Sequence, residues 1–276
     1  MTPRPVRALT ALLVATAAAT VVVEVLNFWY APGHGVGFAV RTAWAFARTL
    51  GWLILISQVR RARATAKPLG LILSMTTLFA VGRLIVPATG RPPLPGLIGF
   101  GVLTLLCLTV VVLLYRHPAI DAHLVHQPRR PTLAGFREAS PGDPWVLTAR
   151  LASFSYSPLM LVPALTAAGT LRHRLEWTLA VIFWILAGIA VSYVALLSAV
   201  FLRRGSHRAR TTLAWVTLAV LAFDLPLCQI LLGLDGLIRD GAPLAVAAAL
   251  TLYALWRTAH VAARTTTAQP SAATRA

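Results

Sequence analysis

The sequence predicts an all-α membrane protein: a polytopic bundle of eight transmembrane helices with its N and C termini cytoplasmic. Three observations carry that prediction. Long apolar stretches recur along the chain, and a helix needs about 20 such residues to cross a bilayer. Only 12% of the residues are charged, while 58% are hydrophobic and the mean hydropathy is +0.74. A soluble domain carries about 25% charged residues, so a water-soluble fold of 276 residues could not cover this much apolar surface. Finally, the basic residues fall mainly on alternate connections, as the positive-inside rule requires.

Eight spans follow from the apolar runs: 8–30, 36–58, 68–88, 96–115, 145–170, 175–202, 210–234 and 242–263. The first could be a signal peptide, with Arg4 and Arg7 as its basic head and Ala17 to Ala19 at a cleavage site. The apolar run continues past those alanines to Phe28, Trp29 and Tyr30, which suits a retained anchor with an interfacial aromatic end. The second span follows a turn of six residues, Ala31 to Val36, so the first two must be antiparallel neighbours. The fifth is the least regular. Ser153, Ser155 and Ser157 precede Pro158, and Pro163 follows. Serines beside a proline re-satisfy a kinked membrane helix.

An even number of spans puts both ends of the chain on one side. That side collects Arg4 and Arg7, the group from Arg60 to Lys67, the group from Arg116 to Arg137, Arg203 to Arg210, and Arg257, Arg264 and Arg275. The other side holds only Arg91, Arg172, Arg174 and Arg239. The richer side is therefore expected to be cytoplasmic. Residues 116–144 form the longest connection and divide the chain into a four-span half, 1–115, and a second four-span half, 145–263. Paired ends recur in the halves, Arg60–Arg61 with Arg203–Arg204 and Tyr115–Arg116 with Trp256–Arg257, but the positive-inside rule produces these unaided. Residues 264–276 are small and polar and are expected to be a disordered tail.

The net charge of +17 reflects loop arginines and points to anionic phospholipid headgroups of the bilayer, with no nucleic acid expected. Basic residues are arginine apart from Lys67, and Ala, Leu and Val dominate. That bias fits a GC-rich bacterial genome and a multi-pass protein of the bacterial plasma membrane. Cys107 and Cys228 both fall in predicted spans and read as small packed hydrophobes. His117, Asp121, His123 and His126 cluster in the long connection but lack a recognised ligand spacing, so no metal is expected. No phosphate-binding loop, zinc-protease pair or nucleophile elbow is present, and no cofactor is expected. The catalytic motifs of membrane phosphatases, prenyl transferases and rhomboid-type proteases are absent too.

Charges inside the spans are costly and need an explanation. Arg83 and Arg150 lie near span ends and can snorkel to headgroups. Glu24 lies ~9 Å below the outer end of the first span, and Arg41 ~8 Å below the outer start of the second. At matching depth on neighbouring helices they read as a structural ion pair. Arg48 and Asp224 lie ~18 Å and ~15 Å below the same face, near the midplane and in opposite halves. They would either pair directly or line a hydrated central polar site, with Gln229 close by. Pro226 removes a backbone donor beside Asp224, which favours a cavity there. Arg41, Trp44, Arg48 and Trp52 share one helical stripe; the tryptophans read as packing or interface anchors.

Three functional classes fit these residues. The first is a transporter-like protein with a central polar site between its halves. The second is an intramembrane enzyme on a lipid or isoprenoid, with Asp224 or Glu24 as proton donor. The third is a non-catalytic subunit or scaffold in which every charge is structural. The first is favoured, because an enzyme calls for a denser polar site.

Overall fold

The computed structural model describes residues 4–29, 35–82, 94–125, 130–132, 135–137, 144–170, 175–202 and 206–267. Ten α-helices account for nearly all of them. In chain order they are α1 (Arg4–Trp29), α2 (Val36–Arg60), α3 (Ala66–Gly82), α4 (Leu94–Arg116), α5 (Pro118–Val125), α6 (Pro144–Phe154), α7 (Tyr156–Thr170), α8 (Leu175–Leu202), α9 (His207–Gly236) and α10 (Ala242–Thr267). A π-helical turn, Leu237–Gly241, joins the last two. A two-stranded antiparallel ribbon pairs β1 (Arg130–Thr132) with β2 (Gly135–Arg137).

Six helical stretches among the described residues are long and apolar enough to cross a membrane, the pattern of a multi-pass membrane protein. The last of them, His207–His260, is 54 residues long, and Ala66–Gly82 is a shorter apolar helix. The 54-residue stretch is not straight. Gly233 has φ 70° and ψ −167°, a backbone state essentially confined to glycine. Beyond the break α10 doubles back: Leu213, early in α9, packs with Ala254 and Leu255, late in α10.

Lipid as solvent explains which faces are buried. Leu105, Leu179, Phe183, Leu186 and Ile189 point outward and are exposed, as bilayer-facing side chains must be. The inner faces form two main cores. One packs Leu9 and Leu13 of α1 against Trp52 and Leu55 of α2, Cys107 and Val110 of α4, and Ile120 and Leu124 of α5. The other gathers Tyr156 and Met160 of α7, Trp184 of α8, Val220 and Cys228 of α9, and Leu244 and Ala247 of α10. Four buried hydroxyls are satisfied within their own helices: Thr16, Thr20, Thr217 and Thr251 donate to carbonyls one turn earlier. The Tyr156 hydroxyl lies 3.0 Å from that of Thr217, tying α7 to α9.

Three expectations need correction. The connection 116–144 is not wholly irregular. Pro118 opens α5, and Ile120 and Leu124, one helical turn apart, seat it on the first core. His123 there contacts the carbonyl of Val59, and Asp121 pairs with Lys67, so these groups serve docking. The C-terminal segment remains helical to Thr267, beyond the expected limit at 263. The final correction concerns Arg239, expected on an external connection. It is 5% exposed, because the chain between α9 and α10 folds inward against α3 and α7. His126, Arg83 and Arg91 lie outside the described residues.

Two helix ends show how local chemistry sets these paths. Residues Gln58 to Arg63 close α2 with the Arg63 amide donating to Gln58 and Ala62 at φ 52°, the left-handed cap usually given to glycine. At Ser155 the fifth predicted span breaks into α6 and α7. Ser153 donates to the carbonyl of Arg150 and Ser155 to that of Ala152, as the serine-proline pattern implied.

Candidate functional site: a charged cleft at two broken helices

Arg41, Trp44 and Arg48 stand three and four residues apart on α2, which puts them on one face of that helix. Opposite them come Glu24 from α1, Ala80 from α3, Val162 from α7, and Arg239 with Asp240 from the π-helical turn. Together these eight residues line a narrow cleft whose free space is about 20 Å³, room for roughly one water-sized group. A second, smaller space of about 10 Å³ shares Trp44, Ala80, Val162, Arg239 and Asp240 with it. Its further lining includes Thr76 and three prolines, Pro158, Pro163 and Pro243. Each of these prolines lacks the N–H of a normal helical residue. Irregular backbone at membrane depth is tolerated where it borders protein or a water-accessible cavity.

The electrostatics are dense for so apolar a chain. Arg239 is gripped by its neighbours: its Nε lies 3.0 and 3.2 Å from the two Asp240 carboxylate oxygens, and Nη2 also pairs with Asp240. Its Nη1 reaches Asp235, one turn earlier, at 3.2 Å. Asp240 is 8% exposed and Asp235 39%, so the network runs from the buried cleft toward the surface. Across the cleft Arg48 is 5% exposed, and its guanidinium sits 5.8 Å from the Trp44 ring. A cation over an indole face is attracted by the ring quadrupole.

The approach of α7 to α2 brings the two sides of the cleft together. A Cβ on Gly169 would lie 2.5 Å from the Gly37 amide nitrogen and 3.0 Å from the Val36 Cβ, so only glycine fits. At the same end, the rings of Phe28 and Phe38 sit 5.6 Å apart, closing α1 on α2.

The residues singled out from the sequence are therefore divided. Glu24, Arg41 and Arg48 line one cleft. Asp224 is not among its lining residues. It is fully buried in the second core, where the Trp184 indole donates to Oδ1 at 2.6 Å and the Cys228 thiol to Oδ2 at 3.5 Å. Gln229 lies on the exposed face of α9. Sequence reasoning missed Arg239 and Asp240, and it read Trp44 only as an anchor. The spacing Asp235, Arg239, Asp240 between two spans was the available signal, since acid and base at i,i+4 can pair on a helix.

No family model, curated protein or solved structure matches the chain.

Proposed function

We propose that the chain is a transporter-like, solute-handling membrane protein of eight spans, working at the cleft of Glu24, Arg41, Trp44, Arg48, Arg239 and Asp240. In this reading the 54-residue stretch crosses twice, reversing at Gly233 and the π-helical turn, and Ala66–Gly82 belongs to a further span. Both termini face the cytoplasm on the arginine asymmetry, and the membrane is the bacterial plasma membrane. One observation carries the functional reading: five charged residues from both halves of the chain converge on one cleft. Burying charge in a membrane is costly, and a purely structural bundle gains little by gathering so much of it. Two interrupted helical stretches support it further, at Ser155 and at Gly233 to Gly241. In many transporters the solute site lies at the interface of two halves and is built from discontinuous helices.

The test is binding and flux with the purified full-length chain. Thermal stability is screened against small anions, zwitterions, cations and neutral solutes, and any stabilising class is then followed as uptake into proteoliposomes. Saturable stabilisation by one class, with uptake lost in Arg48→Gln, is the expected result. A folded protein that neither responds to any class nor moves any of them would overturn the reading in favour of a scaffold.

A further inference from the structure

We infer that the start of α6 and the last turns of α10 form a binding site for one anionic phospholipid. Arg257 holds its phosphate, and its glycerol and upper acyl chains lie along Trp145, Tyr253 and Trp256. This inference is independent of the solute-handling reading. The first argument is level. On α10, Tyr253 stands one turn before Arg257, and Trp256 one turn before His260. Each column places a ring toward the middle of the span and a basic or polar group ~6 Å nearer its end. A phospholipid has the same order, with acyl chains and glycerol deeper and phosphate outermost. All four side chains face outward: Tyr253 is 47% and Trp256 51% exposed, and Arg257 and His260 are exposed as well. Amphipathic rings at the headgroup level are the usual membrane-interface contacts.

The second argument is preorganisation. Trp145, at the start of α6, meets the Tyr253 ring edge to face, with centroids 5.3 Å apart and planes at 80°. Tyr253 in turn lies 5.8 Å from Trp256, and Trp256 lies 4.3 Å from His260. The Arg257 guanidinium sits 5.2 Å from the Trp145 ring. A ring attracts the cation without neutralising it. Arg257 therefore keeps its charge and its planar fork of N–H donors, which matches the oxygens of a phosphate. His260 presents Nδ1 to the Trp256 carbonyl at 3.0 Å, so that nitrogen carries the proton and Nε2 is left to accept from a headgroup hydroxyl. The third argument is charge. Arg257 is in no ion pair among the described residues. Neither α6 nor α10 carries an acidic residue, and α9 has none before Asp224. Glu138 and Asp143, in the connection before α6, lie outside the described residues. Leu213 packs with Ala254 and Leu255, which puts Arg210 of α9 at the level of Arg257. Two guanidiniums at one level attract an anionic headgroup and repel a further cation such as choline.

The experiment titrates the delipidated full-length chain, in a neutral detergent, with phosphatidylglycerol or phosphatidylcholine of the same acyl chains. Bound lipids are counted by native mass spectrometry, and melting temperature is followed in parallel. One phosphatidylglycerol is expected to bind more tightly than any phosphatidylcholine and to raise the melting temperature. Arg257→Gln should weaken that binding by about tenfold, the loss of one charge-assisted contact. Arg60→Gln removes an equally exposed arginine at the end of α2 and should change it by less than about twofold, as an isolated surface charge does. Trp145→Leu leaves the charge unchanged but removes the plate under Arg257, and should weaken binding severalfold. Circular dichroism checks the fold of each variant; if Trp145→Leu fails to fold, the comparison of Arg257→Gln with Arg60→Gln decides. Equal affinity for the two lipids, or tighter binding of phosphatidylcholine, overturns the inference. So does an equal loss in Arg257→Gln and Arg60→Gln, which would make the attraction one of diffuse charge. Neither result touches the solute-handling reading.

Discussion

Replacing Gly169 with alanine should force α7 away from α2 and open the cleft between them. The new Cβ would sit 2.5 Å from the backbone nitrogen of Gly37, where ordinary contact begins at 3.4 Å. The conflict is therefore about 0.9 Å, and because the opposing atom is backbone it cannot rotate away. Overpacking of this kind costs about 1–3 kcal/mol. Alanine also favours the helix over glycine by about 0.5–1 kcal/mol, which works in the opposite direction. Gly101 on α4 isolates that helical term, because a Cβ there meets nothing within 4 Å. Gly101→Ala should thus match or slightly exceed the parent in stability, and Gly169→Ala should fall below it. The assay is thermal unfolding of both purified variants in one detergent, followed by circular dichroism. Each kcal/mol corresponds to a few degrees for a chain of this size. Equal melting temperatures for the two variants would refute the close approach of α7 to α2, and with it the way the cleft is held.

Two further predictions test the charged groups. A double-mutant cycle on Arg48→Ala and Asp224→Ala should show coupling below about 0.5 kcal/mol, as for separate sites. The cycle of Trp184→Phe with Asp224→Asn should show coupling of about 1 kcal/mol or more, because the indole donates directly to that carboxyl; the reverse ranking would return Asp224 to the cleft. Asp240→Ala should lower stability by about 3–5 kcal/mol, since it strips the main partner from a buried guanidinium. Lys67→Ala, which breaks an exposed pair with Asp121, should cost no more than about 1 kcal/mol, and equal losses in melting temperature would contradict the burial of Arg239.

The parts of the fold legible in the sequence are those that lipid imposes residue by residue. Runs of apolar side chains give the long helices, and the serines before Pro158 mark the break between α6 and α7. The docked helix α5 was harder to see. Among its described side chains the buried ones are Ile120 and Leu124, too few to stand out from a basic, proline-bearing connection. Within the site, Glu24, Arg41 and Arg48 could be found because a charge inside an apolar run is conspicuous. Arg239 and Asp240 could not, because in a short connection between two spans a charge is unremarkable.

By itself the sequence determined that this is a helical, apolar chain, and it flagged most of the charges that need a reason to be buried. Local composition suffices for that, since transfer to lipid is a property of each side chain. Which charges meet was decided only by the tertiary structure. Depth along a helix is readable from spacing, but the rotation of each helix and the inward fold of a turn depend on packing between elements. Gly233 and the grip of Asp235 and Asp240 on Arg239 draw the last connection into the bundle. The indole of Trp184 holds Asp224 in its own core. The Trp184–Asp224 contact spans 40 residues of sequence, and only the assembled bundle brings its partners within reach.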